Sequence, residues 1–318
     1  MVKEVRKMQG GLSSLVGLTE EKERARIDIK ACLITGEPYP HTLLHGVGGC
    51  GKTLLARCIG EELGYHFVER EGAALKTRNH IVELLSLSHA AAHECNKHLL
   101  LFIDECHRLP VVLQEVFYYP MKEWRITTVG GEICFSPFTL MAATTRKDML
   151  DEASFVDRFQ NKWEIKRFDE LHIQEILVHL FEEEGVLFDV RVIRLIAQRC
   201  LGIPRQASNL AMKIRNLVLW RGGDWVVTMQ DIYKVFELEG IDEIGLSELH
   251  VNYLLELMKS KGEPKGLRAL AGKLSQNEDV LVGSVEPVLL SLDMIDLHSR
   301  GRVLTETGYR HLAKSGLV

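Results

Sequence analysis

The stretch Thr42-Leu43-Leu44-His45-Gly46-Val47-Gly48-Gly49-Cys50-Gly51-Lys52-Thr53 decides the fold. A short apolar strand, Thr42–His45, runs into a glycine-rich turn. From Lys52 to Leu63 the spacing is helical, until Gly64 stops it. Gly46 to Thr53 matches G-x-x-x-x-G-K-[ST] without a mismatch, in the strand–turn–helix context that the motif needs. Gly46, Gly48, Gly49 and Gly51 let backbone N–H groups curl around phosphates, with Cys50 a filler between them. The helix N-terminus adds a dipole that favours anions. On this reading Lys52 reaches the β- and γ-phosphates of ATP, and Thr53 holds Mg²⁺.

Working outward, Leu99–Ile103 is a continuous apolar run that ends in Asp104 and Glu105, the pattern of a Walker B strand. Asp104 is expected to support the Mg²⁺ shell, and Glu105 to orient or deprotonate the attacking water. Phe138–Ala142 is a second apolar run, closed by Thr144 and Thr145. Helices over Glu20–Thr35 and His80–Cys95 and a strand over Tyr65–Glu69 complete an alternation of strands and helices. That alternation implies βαβ units and a parallel sheet. Two β-prone runs around Gly130-Gly131 predict a hairpin inserted over Arg125–Phe135. From Leu171 to about Glu239 the pattern is helical. Beyond Gly240, helices at Ser247–Ser260, Gly266–Leu274 and Leu281–Leu292 precede strands at Met294–His298 and Val303–Thr305, the outline of a winged helix. The expected organisation is an α/β P-loop AAA+ domain with a parallel sheet (residues 1–170), an all-α lid (171–239) and a C-terminal winged-helix domain (240–318).

Composition sets the limits. The 318 residues are 46% hydrophobic and 26% charged, which excludes a disordered or fibrous chain. A net charge of -5 excludes a polybasic global field, so any DNA contact must rest on local clusters. The seven cysteines are scattered without a Cys-x-x-Cys, which argues against a disulfide framework and fits the cytoplasm. No apolar run approaches the roughly 20 residues that span a bilayer, so no membrane partner is expected. His89, His93, Cys95 and His98, with Cys106 and His107 beyond, have partial metal-ligand spacing, but no carboxylate pair or Cys-x-x-Cys completes the set. Ordinary helix and core roles are preferred.

Asp104-Glu105-Cys106-His107-Arg108-Leu109, the following Pro110–Trp124, Ala143-Thr144-Thr145-Arg146, Asp157-Arg158-Phe159 and Gly202-Ile203-Pro204-Arg205 resemble the RuvB family. These are bacterial AAA+ motors that drive branch migration of Holliday junctions. The resemblance runs from about Leu15 to Leu312. It implies a hexameric ring around duplex DNA. It also implies sensor 1 at Thr144/Thr145, an arginine finger supplied in trans by Arg158, sensor 2 at Arg205, and an adenine-cradling segment at Val16 and Gly17. The family's first arginine of Arg-x-Arg-Phe is Val156 here. The hairpin 125–135 is several residues shorter than the one that docks on the family's junction-binding partner RuvA, which leaves open whether a RuvA-like partner binds.

Arg300 and Arg302 flank Gly301 in the wing and are expected to face one phosphate track, with Lys259, Lys261, Lys265, Arg268 and Lys273 nearby in sequence. The leading reading is an ATP-driven motor on double-stranded or branched DNA. The alternatives are an ATP-switched adaptor or loader that oligomerises on DNA and recruits another protein, and a remodeller of proteins that uses the winged helix for protein contact.

Overall fold

The computed structural model describes residues 11–94, 96–128 and 130–316. Cys95 of the histidine-rich segment and Val129 of the hairpin lie outside the described residues. The chain forms two compact units, one of residues up to 46 with 51–166, the other of residues 47–50 with 167 onward.

In the first unit, β1 (Thr42–Gly46), β2 (His66–Glu71), β3 (Leu99–Asp104), β6 (Phe138–Thr144) and β7 (Asn161–Ile165) form a five-stranded sheet in the order β2-β3-β6-β1-β7. Every pairing in it is parallel. β3 and β6 are buried along nearly their whole length, as unbroken apolar runs demand in a sheet covered on both faces. His45 lies beside Thr144, and Ile103 beside Ala142. The carboxyl ends of β1, β3 and β6 therefore lie level, with β1 and β3 on either side of β6. Helices α1 (Thr19–Thr35), α2 (Lys52–Leu63) and α3 (Arg78–Glu94) connect or flank the strands. α3 buries Ile81, Leu84, Leu85, Ser88 and Ala91. β7 was not expected, because only Trp163 and Ile165 of its five residues are buried.

The hairpin strands are β4 (Arg125–Thr128) and β5 (Gly131–Cys134), antiparallel with Ile126 opposite Ile133. Its apolar side chains turn inward. Ile126 and Phe135 belong to the core, and Ile133 packs against it. His89 fastens the hairpin through Nδ1 to Ser136 Oγ and Nε2 to the Cys134 carbonyl, both at 2.8 Å. The exposed face carries Arg125, paired with Glu123 and Glu132.

The second unit holds two apolar cores. The first gathers α4 (Glu170–Glu183), α5 (Val190–Arg199), α6 (Pro204–Arg221) and α7 (Met229–Glu239). Asp169 and Asp189 cap α4 and α5, and Thr228 with Asp231 forms a capping box on α7. The second core gathers α8 (Glu248–Met258), α9 (Leu267–Leu274), α10 (Glu278–Val280), a π-helical turn (Leu281–Val285), α11 (Glu286–Ser291) and the wing strands β8 (Ile295–His298) and β9 (Gly301–Leu304), closed by α12 (Glu306–Lys314). A reciprocal backbone pair between Lys265 and Arg302, both bonds 2.9 Å, stitches β9 to the segment before α9.

Candidate active site

The glycine-rich turn is shaped by backbone that only glycine takes comfortably. Gly46, Gly49 and Gly51 have φ of 127°, 81° and 88°. A Cβ on Gly46 would lie 2.3 Å from the Ile165 carbonyl oxygen of the neighbouring strand. Gly51 starts α2 without a side-chain cap, which leaves the first-turn N–H groups of a 12-residue helix for a ligand. Lys52 is 6% exposed, and its Nζ donates to the Gly46 carbonyl at 2.9 Å, arched back over the turn. Val16 is half-buried and Gly17 buried at the approach to α1, and Leu18 adopts a left-handed φ of 51°.

Thr53 Oγ1 donates to Asp104 Oδ2 at 3.2 Å, which brings the first turn of α2 to the end of β3. Both are hard oxygen donors of the type Mg²⁺ selects. Two adjacent ligands of an octahedral Mg²⁺ stand about 3 Å apart, so the pair fits this ion. A second carboxylate, Glu105, follows with a left-handed φ of 45°. That backbone is supported from β2's end: a Cβ on Gly72 would meet the Glu105 carbonyl oxygen at 2.6 Å. Thr145 Oγ1 donates to Glu105 Oε2 at 3.2 Å, and His107 Nδ1 lies 3.1 Å from the same oxygen. The same nitrogen lies 3.0 Å from Thr144 Oγ1, and Thr144 is fully buried. Burial pushes the Glu105 carboxyl up, but the His107 and Thr145 contacts and the Lys52 charge outweigh it and hold the group below its ordinary value.

Lys52, Thr53, Asp104, Glu105, Thr144 and Thr145 thus converge within the first unit at the carboxyl ends of β1, β3 and β6. This is where open α/β sheets bind ligands. Sequence reasoning gave His107 no part in the nucleotide site, although it stands inside the motif-bearing run 104–109. Arg158 makes none of these contacts. Its guanidinium lies 3.8 Å from the centre of the Tyr118 ring, and its Nε is buried without a hydrogen-bond partner. Val156 is fully buried in the core. Gly48, Gly49, Cys50 and Arg205 belong to the second unit, where the Arg205 N–H donates to the Gly49 carbonyl at 3.2 Å. Cys50 is fully buried.

The wing arginines part company. Arg300 is exposed at the turn. Arg302 instead turns inward and pairs with Glu286, Nε to Oε1 at 2.8 Å and Nη2 to Oε2 at 3.1 Å. Glu286 is 2% exposed and also accepts from the Tyr253 hydroxyl at 2.7 Å. The inward pairing of Arg302 does not fit the expected phosphate track shared with Arg300, because a buried carboxylate must be paired. Lys259 and Lys265 both pair with Glu256. Among the described residues, Lys261, Arg268, Lys273 and Arg300 form no ion pair.

Residues 9–165 match the model of the Holliday junction DNA helicase RuvB P-loop domain, and residues 243–313 that of the RuvB C-terminal winged helix domain. The chain is 31% identical to the Holliday junction branch migration complex subunit RuvB of Fervidobacterium nodosum, across 96% of this chain and 88% of that one. The chain belongs to the RuvB family. The RuvB of Rhodopirellula baltica is also 31% identical, across 95% of this chain and 83% of its own length. Among solved structures, the Thermotoga maritima RuvB Holliday junction branch migration motor superposes with a TM-score of 0.85 at 28% identity, covering 95% of this chain and 97% of that one. As a RuvB-type P-loop protein with this site, the chain is an ATPase and binds nucleotide. No helix among the described residues is long and apolar enough to cross a membrane.

Proposed function

We propose that this chain is a cytoplasmic, ring-forming motor that moves duplex DNA and drives branch migration of Holliday junctions; its relatives are named as a branch migration complex subunit and a Holliday junction branch migration motor. The supporting observation is the convergence of Lys52, Thr53, Asp104, Glu105 and the Thr144/Thr145 pair in a chain of this family. In this reading Gly46–Gly51 cradle the phosphates of ATP, Val16 and Gly17 cradle its adenine, and Thr53 and Asp104 hold Mg²⁺. The ion supplies charge neutralisation on the transferred phosphoryl group. Lys52 binds the β- and γ-phosphates. Glu105 takes a proton from the attacking water, with Thr144 and Thr145 oriented alongside. Arg205 acts as sensor 2. Arg158 reaches the site of the next subunit in the ring as an arginine finger. Arg300 contacts phosphates, and Arg302 holds the wing in place. The division 1–170, 171–239 and 240–318 assigns these tasks to an ATPase domain, a lid and a DNA-binding domain.

The test is ATP-dependent separation of a synthetic four-way junction, with linear duplex as control and Glu105→Gln as the inactive form. Wild type should separate the arms, and the variant should bind ATP without turnover. Wild-type turnover by the variant would sink the assignment of Glu105.

The hairpin favours a second reading on the partner. Its apolar residues Ile126 and Ile133 face the core, and its outer face is the Arg125, Glu123 and Glu132 cluster. Among the described hairpin residues the outer face is charged, so the adaptor reading remains, in which ATP binding builds an oligomer on DNA that recruits another protein. ATP that tightens DNA binding without moving strands would favour it.

A further inference from the structure

We infer that His107 is a positioning residue for ATP hydrolysis: it anchors one oxygen of Glu105 and fixes the direction of the Thr144 hydroxyl. The inference rests on the reading of Glu105 as the group that acts on water.

The geometry constrains the protons. His107 Nδ1 lies 3.1 Å from Glu105 Oε2 and 3.0 Å from Thr144 Oγ1. An ionised carboxylate only accepts hydrogen bonds, so the ring nitrogen that faces it carries the hydrogen. Nδ1–H then donates toward Oε2, and the Thr144 O–H cannot also point at Nδ1. Thr144 Oγ1 already accepts from the Arg146 N–H at 2.9 Å. Its own hydrogen is therefore directed away from both neighbours.

The carboxylate is asymmetric for the same reason. Oε2 is held by His107 and by the Thr145 hydroxyl at 3.2 Å. Both of these contacts fall on Oε2 and neither on Oε1. A general base works best with one oxygen anchored and the other presented to water, because a swinging carboxylate loses the alignment that makes the step effectively unimolecular. His107 is itself well placed to hold still. Its side chain is 11% exposed, and it follows Cys106, which is fully buried. One imidazole thus links the end of β3 to the end of β6.

The experiment is steady-state ATPase kinetics on the full chain with His107→Ala, His107→Asn, Glu105→Gln and the double variant Glu105→Gln/His107→Ala, with nucleotide binding and thermal melting measured on each. His107→Ala should lower kcat about tenfold to a hundredfold, with KM for ATP changed by less than about threefold. His107→Asn places an amide donor near the Nδ1 position and should recover most of the loss. The double variant should be no slower than Glu105→Gln alone. Unchanged kcat in His107→Ala overturns the inference. So does a loss that Asn leaves unrestored, or one that adds fully to that of Glu105→Gln. Wild-type turnover in Glu105→Gln alone is a separate result: it removes Glu105 as the base, whatever His107 does.

Discussion

His41 shows how a single side chain can be committed to the fold. It is 3% exposed, accepts from the Leu140 N–H at Nδ1, and faces the Met121 carbonyl with Nε2, both at 2.9 Å. The acceptor role of Nδ1 places the hydrogen on Nε2. Protonation would set a second N–H against the Leu140 donor. Burial accordingly pulls the imidazole down to about 4. Because the folded value lies below the unfolded one, this group favours the folded state at and above the unfolded value of about 6.5. That contribution is lost as pH falls from about 6.5 to about 4, at up to about 1.4 kcal/mol per pH unit. The check is an NMR titration of the His41 ring, which should stay neutral until close to pH 4; a midpoint near 6.5 would contradict the buried geometry. At this scale the sequence is uneven in what it discloses. Lys52 and Thr53 are legible because their chemistry is contiguous, a motif read along one turn. The contacts of His107 with Glu105 and Thr144 span two strands and become visible only when β6 is laid beside β3.

The wing argues the same point for an element. Arg300 and Arg302 are equivalent in the sequence, two residues apart in a basic turn. Packing separates them, because Glu286 sits in the core of the winged helix and needs a cation. Arg302→Ala leaves that carboxylate buried without its partner, and should destabilise the chain by about 3–5 kcal/mol in chemical denaturation. Arg300→Ala should leave stability unchanged, within about 0.5 kcal/mol. Its effect should appear in DNA affinity instead, with the slope of log K against log salt reduced by about one. Equal destabilisation by the two variants would contradict the split. The same logic explains which elements the sequence discloses. β1, β3 and β6 are continuous apolar runs and stand out. β7 is an edge strand with alternating Lys162, Trp163, Glu164 and Ile165, too short and mixed to separate from loop. α12 escapes notice because only Gly308 and Leu312 of its nine residues are buried.

For the whole molecule, the question is how sites are completed. The Arg158 guanidinium lies over the Tyr118 ring, 3.8 Å from its centre. If one subunit supplies Lys52 and the next supplies Arg158, then Arg158→Ala and Lys52→Ala are each inactive alone. Mixed, they should recover part of the ATPase rate through interfaces that hold one intact copy of each. Mixtures that stay inactive at every ratio would count against a shared site. A last consequence lies in how the wing is fastened. The Lys265–Arg302 backbone pair and the Arg302–Glu286 ion pair, with the Tyr253 hydroxyl backing Glu286, grip β9 just past its turn. A hairpin held only at its ends is compliant and absorbs force by bending. This one is clamped like a pawl, so load applied at its tip is passed to the body of the winged helix with little slack.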